Sequence, residues 1–227
     1  MSSIETTPKL VSAHSLHEHF GDLDQQREAS TLGMWAFLIT EIMFFGGMLT
    51  AYLVYRVSYP AAFNAGSQDM NFWAGTLNTV VLICSSVTMV MAVHAAQHGK
   101  NRVVIGWLLF TMFLGLVFLG IKGFEYHEHW VHHLVPGEYF SFPGPDPRQA
   151  EIFFSLYFAL TGFHALHMII GLGLVSVMIY MAARNRFTSA YHNPIENVGL
   201  YWHFVDMVWI YLYPLLYLVA HKHAAGS

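Results

Sequence analysis

The sequence predicts an all-α, polytopic membrane protein with five transmembrane helices gathered in one bundle. Three observations carry that prediction. The 227 residues are 55% hydrophobic and only 11% charged, where a soluble domain has about a quarter of its residues charged. Five stretches are apolar over roughly the ~20 residues that a helix needs to cross ~30 Å of hydrocarbon. None alternates polar with apolar side chains in ~10-residue strands, as a β-barrel would. A helix pairs its own backbone, which lipid requires of any segment that crosses it.

In order, residues 32–55 begin LGMWAFLITEIMFF, an apolar run interrupted by Glu41. Residues 72–96 and 103–124 follow, joined by a very short link of His98, Gly99, Lys100 and Asn101. Between the first two spans, Asn64, Gly66, Ser67 and Asp69 read as turn formers. After the third, Pro136, Gly137, Pro143, Gly144, Pro145 and Pro147 stiffen a longer connection. Residues 152–181 and 198–220 complete the set. Residues 1–31 then form a polar cytoplasmic tail, 32–220 the transmembrane domain, and 221–227 a short tail. Five crossings put Lys9, Arg27, Lys100, Arg102, Arg184 and Arg186 on one side, and Arg56, Lys122, Arg148 and Lys222 on the other. The excess places the N-terminus inside and the C-terminus outside.

Several functions are disfavoured at once. A net charge of −4 without a basic stripe gives no footing for nucleic acid. Cys84 is the single cysteine, so an intrachain disulfide or a cysteine-based metal site is impossible. The first thirty residues are polar and mixed in charge, so no cleavable leader is expected. No internal repeat or broken helix points to an inverted-repeat transporter.

Ionisable side chains within the spans are costly and mark functional candidates. Glu41 stands ~13 Å from the inner end of the first span. It is read either as a carboxyl bonded to a neighbouring helix or as a proton-handling group. His164 and His167, three apart in TGFHALHMIIG, share a face of the fourth span. Two histidines so placed can bind a metal, although catalytic zinc needs a third protein ligand. The other reading is cross-helix hydrogen bonding, with Gly162, Ala165 and Gly171 permitting close approach. His203 and Asp206 share a face of the fifth span, as a proton-shuttling pair or as helix-locking groups. Trp202 and Trp209 beside them read as packing or interface anchors. Lys122 and Glu125 are expected to pair at the outer end of the third span. The stretch YHEHWVHH, residues 126–133, is expected to be a solvated loop. Its His129, His132 and His133 also spell the H-x-x-H-H box of di-iron membrane enzymes, which need several such boxes. His14, His17, His19, His221 and His223 read as tail residues.

Five motifs in order resemble subunit III of the haem–copper respiratory oxidases, most closely that of cytochrome c oxidase. They are FLITEIMFF, LNTVVLICSSVTMVMAVHAA, GFEYHE, TGFHALHMIIG and GLYWHFVDMVWIYLYPLLYLV. The resemblance implies the seven-helix fold of that family without its first two helices. It implies an accessory, non-redox subunit with no catalytic site, no metal and no cofactor of its own. Haem and copper are then expected in partner subunits. Subunit I is the direct partner, subunit II and further subunits or a supercomplex assemble around them, and phospholipid is bound. Glu41 falls on the family's buried glutamate, His167 on the histidine suggested to bond it, and His203 with Asp206 on its W-H-F-x-D segment. The expected location is a bacterial inner membrane. Support of proton uptake is a further implied role, with a rim of Asp22, Asp24, Glu28, His98, His192 and Glu196 as an antenna. Arg184 and Arg186 are expected to hold anionic lipid headgroups. Alternatives are subunit III of a quinol oxidase, an accessory chain of nitric oxide reductase, or a stand-alone di-iron enzyme. Glu41 and the Y-W-H-F-V-D spelling at 201–206 side with the cytochrome c type.

Overall fold

Six helices follow one another in a computed structural model that describes residues 23–144, 146–188 and 191–218. They are α1 Leu23–Ser58, α2 Pro60–Gln68, α3 Phe72–Gln97, α4 Asn101–Val131, α5 Pro147–Ala183 and α6 Asn193–Tyr213. The last runs into a π-helical turn, Pro214–Leu218. Among the described residues the only β pairing is an isolated bridge between Thr188 and Tyr191. The fold is thus the helical, polytopic one that the sequence predicts.

Among the described residues, α1, α3, α4 and α5 are long and apolar enough to cross a membrane. The fifth expected crossing is α6 with its π turn, and residues 219–220 of that stretch lie outside the described ones. Its tryptophans, tyrosines, His203 and Asp206 dilute its hydropathy. Even so, α6 runs the height of the bundle. At one end, here the near end, Asn197 Nδ2 donates to Ser30 Oγ (2.7 Å), and Gln97 Nε2 to Glu196 Oε1 (2.8 Å). At the far end Tyr52 OH donates to the Leu215 carbonyl (2.7 Å).

Local chemistry sets the helix limits. Asn71 caps α3 by accepting from the Ala74 amide, and Pro60 and Pro147 open α2 and α5, where a missing N–H costs nothing. Gly99 has φ 67°, a left-handed conformation that glycine adopts freely, and the Lys100 amide reaches back to the Ala95 carbonyl (3.0 Å). That closure turns α3 into α4 within three residues. His133 and Asn185, also at positive φ, close α4 and α5 the same way, through Leu134 N to His129 O and Arg186 N to Met181 O.

Three boundaries differ from expectation. The first link is not a run of turns: nine of its residues form α2, which buries Ala62, Phe63, Gly66 and Ser67 against α5. The turn formers are used for their small size. A Cβ at Gly66 would stand 2.5 Å from the Phe153 ring, so only glycine lets this helix seat. Next, α1 begins at Leu23, inside the stretch read as a polar tail. Finally, α4 continues to Val131, so most of YHEHWVHH is helical, and His129 is buried rather than solvated. The tail histidines 14, 17, 19, 221 and 223 lie outside the described residues.

The core is aromatic. Trp202 fills a notch made by Gly115 of α4 and Gly171 of α5, where added Cβ atoms would stand 3.0 and 3.1 Å from its ring. Its indole N–H donates to Ser85 Oγ, and that of Trp209 to Thr79 Oγ1 (both 3.2 Å). Both rings are buried, so they pack the bundle rather than anchor it at an interface. The helix α1 packs on α5 and α6 but is the least buried of the four apolar helices.

Candidate functional site: a cross-helix carboxyl–histidine contact

Glu41 on α1 and His167 on α5 meet across the bundle, with Oε2 and Nε2 3.1 Å apart. Their side chains keep 19% and 11% of their exposure, so the contact is sheltered but not sealed. The other ring nitrogen decides its chemistry. Nδ1 lies 2.7 Å from the Phe163 carbonyl, which can only accept, so Nδ1 carries a hydrogen. The Nε2–Glu41 contact therefore holds a single proton. Either a neutral imidazole accepts it from the carboxyl, or an imidazolium donates it to a carboxylate. Phe45 packs edge-on against the ring and Tyr201 stacks parallel to it, fixing its plane. Tyr201 also donates to the backbone carbonyl of His167 (2.9 Å).

The partner histidine on the same face behaves differently. His164 is fully buried against Phe118 and Trp209, and neither ring nitrogen has a hydrogen-bond partner among the described residues. Spacing of three put both histidines on one helix face, but only His167 reaches Glu41.

His203 and Asp206 do not pair with each other. His203 Nδ1 is 2.7 Å from Ser86 Oγ on α3. Neither carboxylate oxygen of Asp206 has a partner in hydrogen-bond geometry among the described residues, although Ser86 lies beside it. The reason is that residues three apart on a helix both point at the neighbouring helix, and here Ser86 sits opposite them. His203 is thus a cross-helix lock, while Asp206 is a buried carboxyl (4% exposed) without a direct bond.

Comparison with known proteins decides the family. Residues 19–221 match the family model described as cytochrome c oxidase subunit III. A protein of Synechocystis sp. named cytochrome c oxidase subunit 3 is 32% identical over 96% of this chain and 84% of its own length. The chain belongs to the cytochrome c oxidase subunit III family. A relative of the same name from Thermostichus vulcanus is 29% identical over 96% of this chain and 97% of its own. One from Xenopus laevis is 34% identical, with 82% of this chain covering 67% of its length. With this family and four apolar helices, the chain is an integral membrane protein.

Within this subunit III fold, the most elaborate polar site was only half visible in the sequence. Lys122 and Glu125 do pair (Nζ to Oε2, 3.0 Å), but they are sealed inside the bundle at 4% and 2% side-chain exposure. Tyr157 of α5 and Tyr217 of the π turn donate to Glu125 Oε1 at 2.6 and 2.5 Å. Lys122 also reaches both phenolic oxygens, at 3.0 and 2.9 Å. Spacing revealed the pair, but nothing local reveals two tyrosines 32 and 92 residues away.

Arg184 and Arg186 are both exposed at the near end, after α5, and the Arg184 guanidinium lies 5.3 Å over the Tyr180 ring. The H-x-x-H-H box is divided. His129 spends Nδ1 on the Glu125 carbonyl (2.6 Å) inside the bundle, while His132 and His133 are exposed. Among the described residues, no three histidine, cysteine or acidic side chains are placed to share a metal ion.

Proposed function

We propose that the chain is the accessory, non-redox subunit III of a proton-pumping cytochrome c oxidase. In this reading haem and copper belong to partner subunits, this chain has no active site, and it docks on catalytic subunit I, on the side away from the copper-bearing subunit II. The observation that carries it is the family match across residues 19–221. Mild-detergent purification of the chain from its native membranes tests it. Co-purification with a haem-bearing subunit I and a copper-bearing subunit II is the expected result. Recovery of the chain alone, with iron bound, would overturn it in favour of the di-iron reading.

The finer roles rest on the site. The Glu41–His167 contact keeps one proton at a sheltered position on the flank of the bundle. That supports a part in proton supply to the catalytic subunit and in guarding it against inactivation during turnover. Glu41, with Tyr201 and Val205, favours the cytochrome c branch over the quinol branch. Oxidation of reduced cytochrome c, but not of a quinol, by the purified complex is the expected discrimination. Exposed Arg184 and Arg186 are assigned to phospholipid headgroups. Turnover at high pH should slow when the rim of Asp22, Asp24, Glu28, His98, His192 and Glu196 is neutralised together, Asp22 lying outside the described residues, and unchanged pH dependence would remove that role. At this rim His192 Nε2 lies 3.3 Å from both Arg27 and Glu196, so the rim is already tied to a positive charge.

The proposed orientation keeps the near end and N-terminus cytoplasmic, in a bacterial inner membrane, with the C-terminus outside. Lys122 is buried and so drops out of the outer-side count, which sharpens the bias of arginine and lysine toward the near end. Reporter fusions at the two termini should report opposite sides.

A further inference from the structure

The far end of the bundle is organised around the π turn. Tyr217 is its buried tip, and it enters a charge cluster in which hydrogen-bond demand is met. The three ammonium hydrogens of Lys122 face Glu125, Tyr157 and Tyr217, and the two phenolic hydrogens face Glu125 Oε1. Four aromatic rings, of Tyr126, Tyr157, Trp209 and Tyr217, stand 5.0–5.6 Å from the ammonium. With Tyr217 withdrawn, Glu125 Oε1 keeps one donor and the lysine loses an acceptor, inside a medium that cannot supply replacements.

The backbone of the same turn is held by other helices. A π turn shifts the carbonyl pattern of a helix and leaves acceptors for outside donors. Tyr52 and Arg56 of α1 both donate to the Leu215 carbonyl (2.7 and 3.2 Å), and Ser67 of α2 donates to the Leu216 carbonyl (2.6 Å). On α3, Thr76 bonds Tyr213 OH (2.6 Å), and Gly75 leaves the space that the Tyr217 ring occupies, 2.9 Å from where a Cβ would stand. One five-residue turn is therefore gripped by α1, α2, α3 and α4, and α5 joins through Tyr157, which shares Glu125 and Lys122 with Tyr217.

We propose that the turn Pro214–Leu218 is a latch. Docking of Tyr217 onto the Lys122–Glu125 pair closes it, and the closed latch ties the far ends of the other five helices together. The pair acts as the receptor for the turn rather than as a proton carrier, because every donor hydrogen of Lys122, Tyr157 and Tyr217 is already engaged within the cluster. The latch closes only after the last residues of the bundle are in place.

A buried thiol reports whether the latch is open, since its labelling follows the open population. Leu216 is fully buried, so Leu216→Cys in a Cys84→Ser background provides that reporter in the full chain, purified within its membrane complex. The parent should react slowly with maleimide. Glu125→Gln and Lys122→Met should each speed labelling at position 216 at least tenfold. The double change Lys122→Met with Glu125→Leu removes the buried charges together with both partners of the Tyr217 hydroxyl, so labelling should fall below that of the singles but stay severalfold above the parent's. Tyr217→Phe keeps the ring against Gly75, so the chain still folds, and it should speed labelling severalfold through loss of the hydroxyl alone. Parent-like labelling of Tyr217→Phe and of whichever single charge variants accumulate would overturn the latch. So would a double variant that labels at the parent's rate, since packing rather than the pair would then hold the turn.

Discussion

The bundle holds two acid–base contacts between helices, and they are built on opposite lines. Lys122–Glu125 is sealed and saturated, with five hydrogen bonds to or within the pair and its two tyrosines. Glu41–His167 is a single 3.1 Å contact on a partly exposed flank. A saturated cluster has one low-energy arrangement and so fixes structure. A lone contact holding one proton has two arrangements, with that proton on the carboxyl or on the imidazole. Charge in a membrane core is thus no single signal: the number of bonds around it separates a sealed cluster from a lone, partly exposed contact.

The largest test of the contrast is at the sealed pair. Glu125→Gln or Lys122→Met leaves one buried charge uncompensated and should cost about 3–5 kcal/mol of stability. Thermal or SDS unfolding of the purified complex would measure it, and the double apolar replacement should lose less than either single change. Next comes the notch around Trp202. Gly171→Val drives a side chain into that ring and should cost about 1–3 kcal/mol, read by the same melts and by Trp fluorescence. Ser86→Ala removes the single bond to His203 and should cost about 0.6 kcal/mol, the usual size of a membrane side-chain hydrogen bond. Smallest in stability is Glu41→Gln. The amide can still donate to Nε2 but carries no exchangeable acid proton, so stability should move by less than about 1 kcal/mol while the active lifetime of the oxidase in turnover shortens. A loss of stability as large as that of Glu125→Gln would break the contrast.

Apolar runs and turn chemistry made most of the helices legible, because lipid leaves few other solutions for a run such as residues 103–124. The pairing of Glu41 with His167 was legible through the resemblance to the family rather than through spacing, which could not choose between His164 and His167. What spacing could not supply was the third dimension. It put His203 and Asp206 on one face and could not see Ser86 opposite them. It read Gly66 and Ser67 as breakers, because the demand for small residues comes from Phe153, far away in sequence. Likewise His129 looked solvated among polar neighbours, and only the continuation of α4 past residue 124 buries it.

The connectivity also sets a timetable for making the protein. The helices α3 and α4 are joined by a three-residue link and pack on each other, so they enter the membrane as a finished hairpin. The first helix, α1, packs along its length on α5 and α6, and its Ser30 finds Asn197 across 167 residues of chain. At ~5–20 residues per second, a ribosome leaves this helix waiting in the bilayer for roughly ten to thirty seconds before that partner exists. A helix that is mostly apolar around its circumference is what such a wait demands, since lipid covers most of its surface until α5 and α6 are made.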